Sequence, residues 1–103
     1  MLEVIWLYEA AKDLKAIGVH IARDNKRAAF ETLTRIKTAA DSLALHPHMG
    51  RPGRIENTRE LSISGIPYII AYQVKPESIR ILAVLHTARK WPVKLDEEGN
   101  KTL

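Results

Sequence analysis

The sequence contains no cysteine among its 103 residues. A disulfide framework and thiolate chemistry are therefore excluded, and a reducing cytoplasm is compatible with the composition. No apolar run approaches the ~20 residues that a helix needs to cross a bilayer. The opening, MLEVIWLYEAAKD, also lacks the basic lead and apolar stretch of a secretory signal peptide. We expect a cytoplasmic protein without a membrane partner.

The length and composition fit one ordinary globular domain. A chain of 103 residues is long enough for a single hydrophobic core and too short for two. Hydrophobic residues make up 46% of the chain and charged residues 27%, which separates it from disordered sequences. No internal repeat is visible. We predict one domain over residues 1–92, followed by a polar tail over residues 93–103.

Positive charge is concentrated in the second half of the chain. The formal net charge is +4, and residues 46–92 contain seven Lys or Arg against three Glu. This balance favours nucleic acid or an acidic protein as the partner, although many basic proteins bind neither.

Hydrophobic periodicity predicts a strand and then two helices in the first half. Residues 2–7 are a short apolar strand. Two amphipathic helices follow, separated by a break at Asp24-Asn25, where Asn25 can cap the second helix. Helices joined by so short a break fold back as a hairpin, which lays both apolar stripes on one surface. The stripes consist of Ala10, Leu14, Ile17 and Ile21, and of Ala29, Leu33, Ile36, Ala40 and Leu43.

A loop and an alternating strand begin the second half. Residues 46–57 are rich in Gly and Pro and have no periodicity, which indicates a loop. Residues 58–64 alternate, so that Arg59 and Leu61 share an apolar face while Glu60 lies on the opposite, polar face.

The next two apolar segments are predicted to be the central strands. Residues 68–74 and 81–85 are apolar on both faces. The first strand must pair with a later one, and we predict a parallel pairing with the last strand, because a long helical connection permits this. The result is an α+β fold of order β-α-α-β-β-β, with the helical hairpin packed on a small antiparallel sheet. One side of the last strand is predicted to carry Arg80, Leu82, Val84 and His86.

One cluster of basic residues at strand ends is a candidate catalytic site. It comprises Arg59, Arg80, His86 and Arg89, with Lys90 beside it. Metal-free RNA cleavage needs a base near the 2′-hydroxyl, a cation for the pentavalent phosphate and an acid for the leaving oxygen. Histidine, with an ordinary pKa of about 6.5, suits either proton role. The alternative is that His86 merely closes a strand and the arginines are solvated edge charges.

Three further groups of residues carry weaker signals. His46 and His48 have no acidic or histidine-rich neighbourhood, so no metal site is predicted there. Three aromatic residues either stack on nucleobases or belong to the core with their polar edge in contact with water. They are Tyr68, Tyr72 and Trp91. The outer face of the hairpin is either a docking surface or a solvated helix face. It contains Lys12, Lys15, Arg27 and Arg35.

Five segments of the chain together match a known family. They are VIWLYEAAKDLKAIGVHIARDN, LHPHMGRP, TRELSI, YIIAYQV and IRILAVLHTARKWP. In combination they cover about residues 2–92, and this stretch resembles the RelE/ParE superfamily of type II toxin–antitoxin toxins. The resemblance implies a helical hairpin against an antiparallel sheet, in agreement with the pattern above.

The resemblance implies one of two activities. RelE-like members cut messenger RNA in the ribosomal A site with basic residues on the sheet and a tyrosine or histidine near the C-terminus. In this chain Arg59 lies at a position that is often basic in those ribonucleases, and His86 lies near where some of them keep a catalytic histidine. ParE-like members poison DNA gyrase and have no established active site of their own.

Several segments favour the ParE branch. They are the I-A-R-D-N junction, the G-R-P loop and above all LHTARKWP. The ribonuclease branch usually carries a cation beside the glycine of the second hairpin, whereas Gly65–Ile69 contains none. We therefore expect a ParE-like toxin that binds gyrase and stabilises its cleaved complex with DNA. The alternatives are a RelE-like ribosome-dependent mRNA interferase and a binding module without toxic activity.

The expected partners follow from these hypotheses. The resemblance implies a cognate antitoxin, and a basic domain with exposed sheet edges and apolar grooves suits a partly disordered acidic segment that folds on binding. The second partner is DNA gyrase or, in the alternative, the ribosome and mRNA. No cofactor, metal or small-molecule substrate is expected.

Overall fold

The structure, a computed structural model, describes residues 1–88 and, as backbone alone, residues 94–95 and 101–102. It contains a helical hairpin and a five-stranded sheet. The elements are β1 (Glu3–Trp6), α1 (Tyr8–Ala22), α2 (Lys26–Ser42), β2 (Arg51–Pro52), β3 (Arg59–Ser62), β4 (Tyr68–Val74), β5 (Ser78–His86), and the separate pair β6 (Lys94–Leu95) and β7 (Lys101–Thr102). The predicted domain boundary at residue 92 lies outside the described residues.

The helical hairpin forms where the sequence predicts it. The Asn25 side chain accepts a hydrogen bond of 3.0 Å from the Ala28 N–H, which confirms the predicted cap of α2. Gly18 lies against Leu33, and a β-carbon there would come within 2.8 Å of a Leu33 methyl carbon. Glycine therefore lets α1 and α2 approach closely. None of the described helices is long and apolar enough to cross a membrane.

The sheet is mixed, with the order β1-β5-β4-β3-β2. The strand β1 pairs in parallel with β5, as predicted, and the other neighbours pair antiparallel. The helical hairpin supplies the long connection that a parallel pair requires. The two-residue strand β2 lies in the segment predicted to be a loop, where Arg51 pairs with Glu60 and Pro52 with Arg59.

The core lies between the hairpin and one face of the sheet. Both helices contribute buried side chains to it, as their predicted stripes require, and so do β4 and β5. On β4 the predicted face of Tyr68, Ile70, Tyr72 and Val74 is the one that packs against the helices. The buried members of this core are Ala10, Ile36, Ala40, Leu43, Tyr68, Ile70, Tyr72, Ile79, Ile81 and Val84.

A bulge in β5 changes which side chains share a face. Ala71 pairs with Ala83 and Tyr72 with Ile81, so Leu82 has no partner on β4. Leu82 and Ala83 both pack in the cluster on the face away from the helices. The side-chain alternation is therefore shifted by one residue at this point.

The predicted face of β5 is wrong for this reason. Before the bulge, Ile79 and Ile81 face the helices, which leaves Arg80 on the opposite face. After the bulge, Val84 faces the helices, and His86 shares its face. Arg80 and His86, predicted to lie on one side, therefore lie on opposite sides of the sheet.

The face of the sheet away from the helices is covered even at β3, where the alternation of residues 58–64 predicts a polar face. Glu60 is only 3% exposed. The buried cluster on this face includes Leu82, and Ile55 from the loop between β2 and β3 packs against it with Leu85. Because the loop folds over the sheet, the carboxylate of Glu60 is enclosed beneath it.

Candidate functional site

The Arg59 guanidinium holds the loop that precedes β2 through hydrogen bonds to the loop backbone. Its Nε donates to the carbonyl oxygen of Gly50 at 2.9 Å, and its Nη2 donates to that of His48 at 3.2 Å. The Tyr72 hydroxyl donates to the Pro47 carbonyl oxygen at 2.8 Å and accepts from the Gly50 N–H at 2.9 Å. The donors of Arg59 are thus directed into the loop backbone, which gives this residue a structural role.

The Glu60 carboxylate binds both arginines of the same loop. Its carboxylate accepts hydrogen bonds from the Arg54 backbone N–H at 2.9 Å, from the Arg54 Nε at 3.3 Å and from the Arg51 Nη2 at 3.5 Å. Burial raises the pKa of the Glu60 carboxyl, but these bonds outweigh it and hold the pKa below its ordinary value of 4.5. Two of the basic residues in the second half of the chain therefore compensate one buried carboxylate.

Arg80 lies across the outer face of the two central strands. Its Nη1 donates to the Gln73 Oε1 at 3.2 Å. Arg80 and Gln73 lie directly opposite each other in the pairing of β5 with β4. Gln73 itself is 5% exposed. Arg80 belongs to the face of the sheet away from the helices.

His86 ends β5 at the mouth of a groove beneath α1. Its ring meets the Tyr68 ring edge-on, with centroids 5.3 Å apart, and its Nδ1 accepts from the Ala88 N–H at 3.1 Å. Asp13 of α1 accepts the Val84 N–H at 3.0 Å and so ties the helix to the strand. The groove has a volume of about 550 Å³ and is lined by Asp13, Ala16, Ile17, His20, Tyr68, Val84, His86 and Ala88.

The structure does not bring the described candidate catalytic residues together. Arg80 and His86 are six residues apart along β5, which at the rise of a strand is about 20 Å, and they lie on opposite faces. Arg59 pairs with Tyr72, closer to the Arg80 end of the sheet. Arg89, the fourth candidate, lies outside the described residues, as do Lys90 and Trp91.

Sequence reasoning missed a cation at the turn between β3 and β4. The Nη1 of Arg35, on α2, donates to the Ser64 carbonyl oxygen at 2.9 Å and lies directly against Gly65. The turn itself contains no cation, as the sequence shows, but the helix places a guanidinium beside it. Nothing local in the sequence indicates this contact, because 29 residues separate Arg35 from Ser64.

The remaining candidate groups, namely the tyrosines and the outer face of the hairpin, have structural roles. Tyr68 is 8% exposed and Tyr72 is fully buried, so neither offers a ring face to a nucleobase. Part of the outer face of the hairpin is engaged in ion pairs within its own helices, formed by Lys12 with Glu9 and by Arg27 with Glu31. Within the described part of the chain, no three His, Asp or Glu side chains are grouped as a metal ion would require.

Comparisons with known proteins agree with this architecture. The family model for the ParE toxin of the type II toxin-antitoxin system parDE matches residues 4–91. The chain is 45% identical over 87 residues to Y4kP of Sinorhizobium fredii, a protein named as a toxin, with 84% of this chain and 90% of the relative covered. It is 39% identical over 89 residues to Toxin RelE2 of Caulobacter vibrioides, with 86% and 99% covered.

A solved structure has the same fold. A chain of the chromosomal ParDE TA system from P. aeruginosa superposes with a TM-score of 0.75 at 26% sequence identity, covering 84% of this chain and 96% of that one. The predicted superfamily and the α+β class are thereby confirmed. The chain belongs to the ParE toxin family of type II toxin–antitoxin systems, within the RelE/ParE superfamily, and this membership implies a cognate antitoxin as its partner.

Proposed function

We propose that this toxin acts by binding DNA gyrase and stabilising the complex in which gyrase has cleaved DNA. The observation that carries the proposal is the dispersal of Arg59, Arg80 and His86 over the fold. Because these three described residues do not converge on one point, they favour a toxin that acts by occupying a surface of its target.

The dispersal weighs against metal-free RNA cleavage on geometric grounds. The base, the acid and the cation of such a reaction must all reach one phosphodiester, with each proton-transfer group within about 3 Å of the oxygen it serves. The roughly 20 Å that separate Arg80 from His86, and their opposite faces, prevent them from sharing a phosphate. Arg59 is committed to the carbonyl groups of Gly50 and His48.

Charge and family both support gyrase as the target. The chain carries a net charge of +4, and a cleaved gyrase complex presents DNA phosphates as well as protein. The match to the ParE family model over residues 4–91 and the likeness to a ParDE structure support the same branch. Gyrase acts on chromosomal DNA, so the proposal also implies a cytoplasmic location.

The proposal is tested with purified toxin, gyrase, ATP and relaxed plasmid. We expect supercoiling to fall and cleaved plasmid to accumulate after denaturation of gyrase with detergent. Pre-incubation with the cognate antitoxin should restore supercoiling. Unchanged supercoiling and no cleaved plasmid at a large molar excess of toxin would contradict gyrase as the target.

One observation favours ribosome-dependent cleavage of mRNA as a second candidate. The groove beneath α1 holds two imidazoles, those of His20 and His86, and imidazoles can serve as an acid and a base. The relative named RelE2 is consistent with this alternative. In this case, ribosomes translating a defined message should yield A-site cuts with the toxin and none with the His86→Ala variant. Uncut messages with both proteins would exclude it.

A further inference from the structure

Arg51 and Arg54 are held next to each other on the face of the sheet away from the helices. Arg51 lies directly opposite Glu60 in the pairing of β2 with β3, and residues paired in this way direct their side chains to the same face. The Nη2 atoms of Arg51 and Arg54 lie 3.5 Å and 3.4 Å from the same atom, the Glu60 Oε1. The two guanidiniums are therefore neighbours, and Glu60 fixes their positions.

The negative charge of this cluster lies inside the fold and the positive charges lie at its surface. The Glu60 side chain is only 2% exposed, whereas the side chains of Arg51 and Arg54 are 67% and 47% exposed. One carboxylate compensates the charge of one guanidinium, so a pair of guanidiniums keeps a net positive charge. That charge is presented to solvent and attracts anions.

The backbone that carries the two arginines is also held in place. The Arg54 N–H donates to the Glu60 Oε2 at 2.9 Å, and the Gly53 N–H donates to the Thr58 carbonyl oxygen at 2.8 Å. Because the loop and both side chains are ordered when the protein folds, a ligand that binds them has less conformational entropy to remove. Preorganisation of this kind increases affinity.

The chemistry of the pair fits a phosphate group. A guanidinium is planar, stays charged at physiological pH and donates in a fork that matches the oxygen atoms of a phosphate. Two neighbouring guanidiniums can bind different oxygen atoms of one phosphate, and hydrogen bonds between charged groups are stronger than those between neutral groups. Since both side chains are largely exposed, an anion reaches them from solvent.

The location of the pair favours a polyanion that is recognised by side chains. The edge strand β2 consists of Arg51 and Pro52 alone, and a short edge with a charge and a proline resists pairing with another protein strand. Arg80 lies on the same face of the sheet, three strands from β2, or about 14 Å at the spacing of neighbouring strands. A chain of phosphates can reach both places, whereas a single phosphate cannot.

We propose that Arg51 and Arg54 form a binding site for a backbone phosphate of the DNA in the cleaved gyrase complex. The physiological ligand rests on the proposed function, but binding of the site to DNA can be measured without gyrase. Contacts to phosphate fix the position of a protein on DNA and carry no sequence information. The site therefore adds affinity that depends on salt and not on the sequence that gyrase has cleaved.

Titration with a short DNA duplex tests the site in the absence of gyrase. The toxin is labelled with ¹⁵N, and NMR follows the Nε–H signals of its arginines. We expect the signals of Arg51 and Arg54 to shift and saturate, while that of Arg23 stays in place. Arg23 is exposed and lies beyond the opposite end of α2, whose 17 residues span about 25 Å.

Inorganic phosphate alone distinguishes DNA from a free anion as the ligand. At the same concentration of phosphate groups, it should shift the two signals much less than the duplex does, because it cannot reach Arg80 at the same time. Equal shifts with the duplex and with inorganic phosphate would assign the site to a free anion and overturn the proposal.

A matched pair of variants measures the contribution of the site. Arg51→Gln and Arg23→Gln remove the same charge from two exposed positions. The affinity for the duplex should fall by about fivefold in Arg51→Gln, and its salt dependence should lose about 0.9 in the slope of log affinity against log salt, as expected for one lost phosphate contact. Arg23→Gln should change the affinity by less than about twofold, and circular dichroism should show both variants folded. An equal loss in the two variants would overturn the proposal.

A last arm relates the site to gyrase. Fluorescently labelled toxin is titrated with gyrase alone and with gyrase bound to DNA. Arg51→Gln should weaken binding to the complex with DNA and leave binding to gyrase alone unchanged. An equal loss in both titrations would assign the arginines to an acidic surface of gyrase and overturn the phosphate site. If the wild type binds neither form, the proposed function fails, and the titration with DNA alone still decides whether the site binds phosphate.

Discussion

Replacement of Tyr72 by phenylalanine should destabilise the fold by about 2 kcal/mol. Tyr72 is fully buried, and its hydroxyl both donates to the Pro47 carbonyl oxygen and accepts from the Gly50 N–H. Phenylalanine fills nearly the same volume but leaves both groups without this partner. The buried Gly50 N–H then costs about 1–3 kcal/mol, while the half-buried Pro47 carbonyl can turn towards water and adds less.

Urea denaturation followed by circular dichroism measures this loss, and Tyr68→Phe is the matched control. Tyr68 lies on the same face of β4 and is nearly as buried, but its hydroxyl makes no hydrogen bond within the described residues. Its loss should therefore change the free energy of unfolding by no more than about 0.5 kcal/mol. Equal losses in the two variants would refute the idea that the Tyr72 hydroxyl holds the loop.

Three further predictions concern the charge and geometry of the sheet. The lowered pKa of Glu60 means that its carboxylate stabilises the fold above its ordinary, unfolded pKa of 4.5. The unfolding free energy should therefore fall as the pH drops through that region and below, and it should fall less in Glu60→Gln. A series of denaturation curves from pH 6 to about pH 3 measures both proteins. Equal slopes of unfolding free energy against pH in the two proteins would contradict the role of Arg54. Gly65→Ala should lower the stability by about 1–2 kcal/mol, because Gly65 has φ of +84° and a β-carbon there would meet the Arg35 guanidinium; an unchanged melting temperature would show that the turn relaxes. Expression of His86→Ala without antitoxin should still arrest growth if the toxin acts by binding, and full recovery of growth with a folded variant would favour the ribonuclease.

Local signals in the sequence predicted the helices and most of the strands. The cap at Asn25 and the apolar stripes depend on residues within a few turns of one another, so they are visible in the chain itself. The parallel pairing of β1 with β5 followed from the length of the connection. The family resemblance then predicted the toxin class, which the comparisons confirm.

The features that escaped prediction depend on contacts between distant segments. The bulge at Leu82 arises in the pairing of β5 with β4, and no residue in β5 itself marks it. Glu60 alternates like a solvent-facing residue and is buried only because Ile55 and its loop fold over the sheet. Arg35 reaches Ser64 from another element. As a result, Arg59, Arg80 and His86, which were predicted to lie in one catalytic cluster, are dispersed in the fold.

The most direct test of the central claim applies one preparation of toxin to both targets. Gyrase with plasmid is assayed for cleaved DNA, and translating ribosomes are assayed in parallel for A-site cuts in a defined message. A toxin that acts by binding gyrase should yield cleaved plasmid and intact message, and it should do so with His86→Ala as well as with the wild type. Intact plasmid together with cut message would contradict the account.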